Sequence, residues 1–320
     1  MPQLEFTPRK NFVFIPLIVL PLLGFSPWIG FASDIEVDQN NPGALYQTIQ
    51  DGLDAALEGQ EVCVHPGTYI ESVTLEKTVT LRALEGPALT VIQSSTPGTS
   101  LPGVTITNGA SPKIIGFQIR EFHNGIEIQS DGEDILIANN IIAWNGNYGI
   151  ALTGAAATTT AIINVTFANQ TDEAIHTSGL SIDLVNCYNC LFYKNDETGS
   201  QQWDSSVHLI GGYHLSDRNI FVSALATGPS FLNNADPLID PLDAYRFTSD
   251  SSPAIDAGRP TQKDRDPDGS IADIGAWGGR YSRGWYRGPT GGPTLQDVSL
   301  SKQQVQPGET ITIRATAITD

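Results

Sequence analysis

The chain has 320 residues, with 35 Asp and Glu against 17 Lys and Arg, and a formal net charge of −18. That surplus of negative charge repels phosphate backbones and sets nucleic acid aside as a partner. Charged residues make up only 16 % and Gly occurs 31 times, which suits short strands and many turns rather than long helices. The acidity itself fits either solubility outside the cell or a set of carboxylates that holds Ca²⁺.

Residues 1–32 have the plan of a secretion signal. Arg9 and Lys10 precede the apolar stretch from Phe12 to Phe25, and Gly30-Phe31-Ala32 offers small residues for cleavage after Ala32. The competing reading is a membrane anchor. Pro16 and Pro21 interrupt the run, and it falls short of the roughly 20 apolar residues of a span. The expected product is secreted or displayed at the cell surface, with no membrane span after cleavage. Its three cysteines, Cys63, Cys187 and Cys190, are an odd number and do not make a disulfide framework.

Asn41 and Pro42 mark a helix start, with Asn as N-cap and Pro in the first turn. Leu45, Ile49, Leu53 and Leu57 recur every four residues, and Gly59 ends the run. This predicts a short amphipathic helix capping an end that would otherwise expose strand edges. Short strands follow around Glu61–Val64, Val73–Leu75 and Val79–Leu81.

The middle of the chain repeats. Asn139, Asn164 and Asn189 each open the pattern Asn-x-x-apolar and are spaced by 25 residues. Asn219 follows after 30, read as the same corner with an insertion of five, and Gly116 holds the place 23 residues upstream of Asn139. Beside these run Gly103-Val104, Gly125-Ile126, Gly149-Ile150 and Ala174-Ile175, stepping by 22, 24 and 25. A period near 25 built of strands and turns is a solenoid, with three short strands per rung. One turn needs a residue in the left-handed region, which Asn or Gly tolerates. Stacked amides of Asn139, Asn164, Asn189 and Asn219 are expected to bond along the column as a structural ladder. The same register points Ile142, Phe167, Phe192 and Val222 inward, together with Ile137, Ile162 and Cys187.

Two ends carry a resemblance. Gly59, Val62, Val64, Pro66, Gly67, Tyr69 and Glu71 resemble the first rung of pectin-lyase-like right-handed β-helix proteins. The segments Ala235–Pro241, Tyr245–Phe247, Ser252–Gly258 and Asp273–Trp277 resemble the closing rung of secreted bacterial members. The resemblance covers about residues 34–280 and implies the fold. It leaves activity open, because the superfamily holds lyases, hydrolases, epimerases, adhesins and proteins without known activity.

The acidic run from Asp264 to Asp273 is the candidate metal site. Asp264, Asp266, Asp268 and Asp273 alternate around Gly269 like the first half of a calcium loop. It lacks the closing Glu, and a solvated acidic turn explains it too. Cys187-Tyr188-Asn189-Cys190 is a CxxC without the second half of a zinc site. The register puts Cys187 in a core column and Cys190 beyond the Asn turn, so the two thiols are not expected to converge. His123 and His176 lie at turn and strand starts and belong to no metal motif. Asp131-Gly132-Glu133-Asp134 and Asp172-Glu173 sit at turns, where solvated carboxylates are the default. Lys113, Arg120, Lys194 and Arg218 do not share a column, so no lyase base is recognised. Trp144, Tyr148, Tyr188, Tyr193, Trp203 and Tyr213 offer faces that stack on sugars or fill turns.

Together these predict an all-β right-handed parallel β-helix over residues 34–280 with a short capping helix, a linker over 281–294, and the start of an incomplete Ig-like module over 295–320. The functional expectation is a noncatalytic module that binds polysaccharide or a cell-surface glycan. The alternatives are a lyase or hydrolase acting on acidic polysaccharide, and a structural spacer. Calcium is the one cofactor considered; no catalytic residue is assigned.

Overall fold

The computed structural model describes residues 34–129, 132–153, 160–177, 185–195, 209–216, 231–232, 235–286, 294–300 and 313–318. The segment read as a secretion signal, and Asn219, Val222, Trp203 and Arg218, lie outside them.

Three parallel sheets form the walls of a solenoid. The first holds Ile35–Val37, Glu61–Val64, Thr80–Ala83, Lys113–Ile115, Ile135–Ala138, Thr160–Ile163, Val185–Tyr188 and Leu209–Gly212. The second runs from Gly67–Tyr69 through Thr90–Gln93, Gln118–Arg120, Ile141–Ala143, Thr166–Ala168, Leu191–Tyr193 and His214–Ser216 to Phe231–Leu232. The third has five strands: Val73–Leu75, Val104–Ile106, Ile126–Ile128, Ile150–Leu152 and Ile175–Thr177.

Register converts the sequence repeat into interior columns. Ile92, Ile119, Ile142, Phe167 and Phe192 stand directly over one another, and all are fully buried. The rings of Phe167 and Phe192 stack at 5.3 Å. Leu81, Ile114, Ile137, Ile162 and Cys187 form a second column. Each buried aliphatic or aromatic member contributes roughly 1.5–3 kcal/mol, so stability is shared along the stack.

The corner between the first and second sheets is the left-handed one. Gly116, Asn139, Asn164 and Asn189 have φ of 85°, 53°, 53° and 55°. The next corner is Tyr213, with φ 64°, because Leu191 pairs with Leu215 and Phe192 with Ser216. The insertion of five expected before Asn219 is therefore absent from this corner. A bulky residue there is strained, which is why a search for Asn or Gly passes over Tyr213.

The capping helix is shorter than its apolar spacing suggested. It spans Ile49–Ala55 and starts at Thr48, whose hydroxyl accepts from the Asp51 amide at 3.2 Å. Asn41 instead closes a turn by accepting from the Gly43 amide, and Leu45 and Leu57 are exposed. Pro42 and Gly43 favour that turn over a helical start. The first rung holds both ends of the helix: Glu71 accepts from the Ile49 and Gln50 amides, and Lys77 donates to the carbonyls of Leu53, Asp54 and Ala56.

Residues 235–286 lie on the outside of the stack as a strap that runs back along the left-handed corners. The Arg259 amide donates to Asn189 Oδ1 (2.8 Å). Asn164 Nδ2 donates to the carbonyls of Asp273 (2.7 Å) and Gly275 (3.2 Å). Asn139 Nδ2 donates to those of Ala276 (2.9 Å) and Gly278 (2.5 Å). Trp285 closes the line over Gly86 and Gly116, where a Cβ would lie 2.4 and 2.6 Å from its ring. The column thus bonds mainly to the strap; among the described residues its one amide-to-amide bond is Asn189 Nδ2 to Asn164 Oδ1, at 3.3 Å. Residues 281–286, expected to begin a linker, are packed: Ser282 and Trp285 are buried. Farther on, Thr294–Leu300 and Ile313–Ile318 pair as an antiparallel two-stranded sheet.

Candidate functional site on the third sheet

The strap covers the outsides of the first two sheets and not their third neighbour. Leu136, Ala138, Ile141, Ala143 and Ala168 are apolar and buried against Tyr245, Ala276, Trp277 and Trp285. These strands are buried on both faces, which gives near-continuous apolar runs such as Ile135–Ala138. The outward positions of the third sheet are Thr74, Thr105, Glu127, Ala151 and His176, and only Ala151 among them is buried. Apolar side chains inside thus alternate with mostly polar, half-buried ones outside.

Chemistry gathers at its later rungs. The Tyr148 and His176 rings stack with centroids 3.9 Å apart and planes 1° from parallel. His176 Nδ1 lies 3.6 Å from Glu173 Oε2. Tyr148 and Glu173 occupy the position just before the Gly149-Ile150 and Ala174-Ile175 pairs, and Asn124 holds it one rung earlier. Glu127 is held on both oxygens: Asn124 Nδ2 donates to Oε2 (3.1 Å), and Gln129 Nε2 donates to Oε1 (2.7 Å). Asn124 Oδ1 also accepts from Asn147 Nδ2 and the Tyr148 amide, each at 3.3 Å. The strands of this face carry no Lys or Arg. The result is a half-buried ring pair beside the Glu173 carboxylate, with Glu127 and the amides of Asn124, Gln129 and Asn147 on the same and neighbouring rungs.

The four aspartates of the acidic loop are distributed over the strap. Asp266 accepts from the Asp273 amide on Oδ2 and from the Gly279 amide on Oδ1. Asp273 accepts from the Asp256 amide (2.9 Å). Asp268 accepts from the Ser270 amide and hydroxyl, and from Tyr286. Asp264 accepts from Thr261 and pairs with Arg259 at 3.6 Å. Burial, and then the Asp273 carboxylate, push Asp266 up to about 8, while burial pushes Asp273 up to about 7. Asp268 is desolvated too, but its Ser270 and Tyr286 donors bring it below the usual carboxylate range.

Among the described residues, three potential ligand groups converge within 4.8 Å at one place, Cys187, Cys190 and His214. The expectation that the two thiols diverge is corrected: their sulfurs are 3.4 Å apart, and all three side chains are buried. The left-handed turn at Asn189 swings the chain so that the residue after it also faces inward. Phe117, Asn140 and Val165 do the same after earlier corners and are likewise buried.

The other candidates disperse. Tyr188 lies under Arg259, and Tyr193 packs against Tyr245 and Lys194. Trp144 is 53 % exposed, at a different corner. Arg120 donates to Gln93, Lys113 is exposed on the first sheet, and His123 is exposed at a turn. The pairing of Tyr148 with His176 escaped the sequence reading because they come from different columns. The signal was the residue preceding each Gly-Ile or Ala-Ile pair.

Residues 90–235 match the family model described as "Right handed beta helix region". The solenoid is a right-handed β-helix. That is the fold which the residues of the first and closing rungs implied. A crystal structure of a pectin methylesterase mutant in complex with a hexasaccharide aligns at 13 % identity and a TM-score of 0.36, covering 62 % of this chain and 77 % of that one. No curated protein matches the sequence. In the β-helix, no helix among the described residues is long and apolar enough to cross a membrane.

Proposed function

We propose that the chain is an exported, noncatalytic β-helix that binds an uncharged stretch of polysaccharide or cell-surface glycan on the outer face of its third sheet. The observation that carries this reading is the Tyr148–His176 stack beside Glu173, with Glu127 two strands earlier on the same face. A flat aromatic pair suits the apolar face of a sugar ring. Fixed carboxylates and amides at its rim suit the hydroxyls, since hydrogen bonds to a charged acceptor are the stronger ones. The strands of this face carry no Lys or Arg, and Glu127 and Glu173 add negative charge to it, which disfavours a uronate, so the reading selects a neutral glycan. The apolar stretch from Phe12 to Phe25 and the small residues before Ala32 support export.

A glycan array probed with the full chain, with reducing-sugar and ultraviolet unsaturation assays in parallel, tests it. The expected result is binding to neutral glycans, no release of reducing ends, and loss of binding in Tyr148→Ala. Sugar release or new unsaturation would overturn the noncatalytic reading. Silence across the array would leave a structural spacer.

A further inference from the structure

We infer that Cys187 and Cys190 form a disulfide across the corner at Asn189 when the chain folds in an oxidising compartment. The inference rests on the export reading for its compartment and on geometry for everything else. Cys187 faces inward from the strand Val185–Tyr188. Asn189 then turns the backbone at φ 55°, and Cys190 faces inward from the next wall. The sulfurs stand 3.4 Å apart. A disulfide bond is about 2.05 Å long, so the two sulfurs stand within about 1.4 Å of bonding distance.

The third member of the cluster argues for a disulfide over a metal. His214 Nδ1 accepts from the Cys190 amide at 3.2 Å. Other corners use the same device with amide side chains: Asn140 Oδ1 accepts from the Phe117 amide (2.9 Å), and Asn145 Oδ1 from the Phe122 amide (3.1 Å). His214 is thus engaged as a backbone acceptor. Even with His214, the described residues supply three ligands, one short of a closed tetrahedral zinc set. Cys63 cannot compete. It sits on the strand Glu61–Val64, five steps from Val185–Tyr188 in the first sheet, on the order of 24 Å at the usual strand spacing.

The chemistry is thiol–disulfide exchange with a small-molecule or protein disulfide. One cysteine thiolate attacks the donor disulfide, forming a mixed disulfide and releasing one donor thiolate. The second cysteine thiolate attacks the first cysteine's sulfur and expels the other donor thiolate. The chain loses two protons and two electrons, and the donor gains them as two thiols. Both sulfurs are fully buried in the finished fold, so exchange precedes closure of the rung that carries His214.

The test takes the full chain, unfolded and reduced, and refolds it with glutathione and glutathione disulfide. The folded fraction is unfolded without reductant, alkylated, and weighed by mass spectrometry. The expected result is one adduct, on Cys63, and a chain lighter by two hydrogens, with digestion yielding the Cys187–Cys190 cross-link. A Cys63→Ser variant should take no adduct. Three adducts, or a cross-link through Cys63, would overturn the inference. So would three adducts with stoichiometric zinc retained, which would assign the cluster to a metal. Because refolding supplies its own oxidant, a chain that links here yet stays inside its cell would overturn the export reading alone.

Discussion

The walls of the solenoid and the strap laid over them are both well buried, but by opposite physics. In the walls, columns such as Ile119–Ile142–Phe167–Phe192 place apolar side chains in register, and each rung repeats its neighbour's solution. The strap has no repeat. Asn139, Asn164 and Asn189 reach out to its backbone, and Asp266 and Asp273 take its amides in turn. Apolar burial is tolerant of detail, whereas a buried polar network is costly wherever one partner is lost. The strap covers two walls and leaves the third with polar, half-buried outward positions, the face proposed for a ligand.

The largest effect should come from the wall. Phe167→Ala removes a fully buried ring stacked on Phe192 and should cost about 3–5 kcal/mol, since a rigid stack cannot close the cavity. Denaturant unfolding measures it; a loss below about 1 kcal/mol would mean that the column is not a core. In the strap, Asn164→Ala loses two bonds to carbonyls and forces Ala into the left-handed region. It should cost about 2–3 kcal/mol. Asn164→Gly keeps the turn and should cost less, and equal losses would remove the conformational part of the explanation.

The fold was legible because its signals are periodic. Spacings of 25 between Asn139, Asn164 and Asn189 fixed rung length, corner and inward columns together. What stayed hidden was aperiodic. Tyr213 takes a corner that residue preference reserves for Asn or Gly. The strap's bonds join residues more than a hundred positions apart, such as Asn164 and Asp273. Cys187 and Cys190 meet because a left-handed corner turns both inward, which alternation along a single strand does not anticipate. The third-sheet platform lay in two columns at once, while the acidic loop drew notice through composition alone.

Smaller effects sharpen the contrast. Asp266 and Asp273 have folded pKa values of about 8 and about 7, above their ordinary values. Their contribution to stability is therefore complete below about pH 4 and is lost as pH rises through 7 and 8. Melting temperature should decline over that range, and more steeply than in Asp266→Asn. An identical slope would take Asp266 out of the linkage. Calcium should matter least. The loop carboxylates already accept bonds within the strap, so millimolar Ca²⁺ should shift melting by no more than about 1–2 °C. A larger shift that Asp266→Asn/Asp268→Asn abolishes would place an ion there.

The most direct test of an open third wall is calorimetric titration of one array-positive neutral glycan into the unmodified chain, Tyr148→Ala and Trp144→Ala. Trp144 is the more exposed ring, but it stands at another corner; Tyr148 belongs to the platform. Binding should vanish in Tyr148→Ala and persist in Trp144→Ala. Loss in Trp144→Ala with retention in Tyr148→Ala would contradict the assignment and move the ligand off the third sheet.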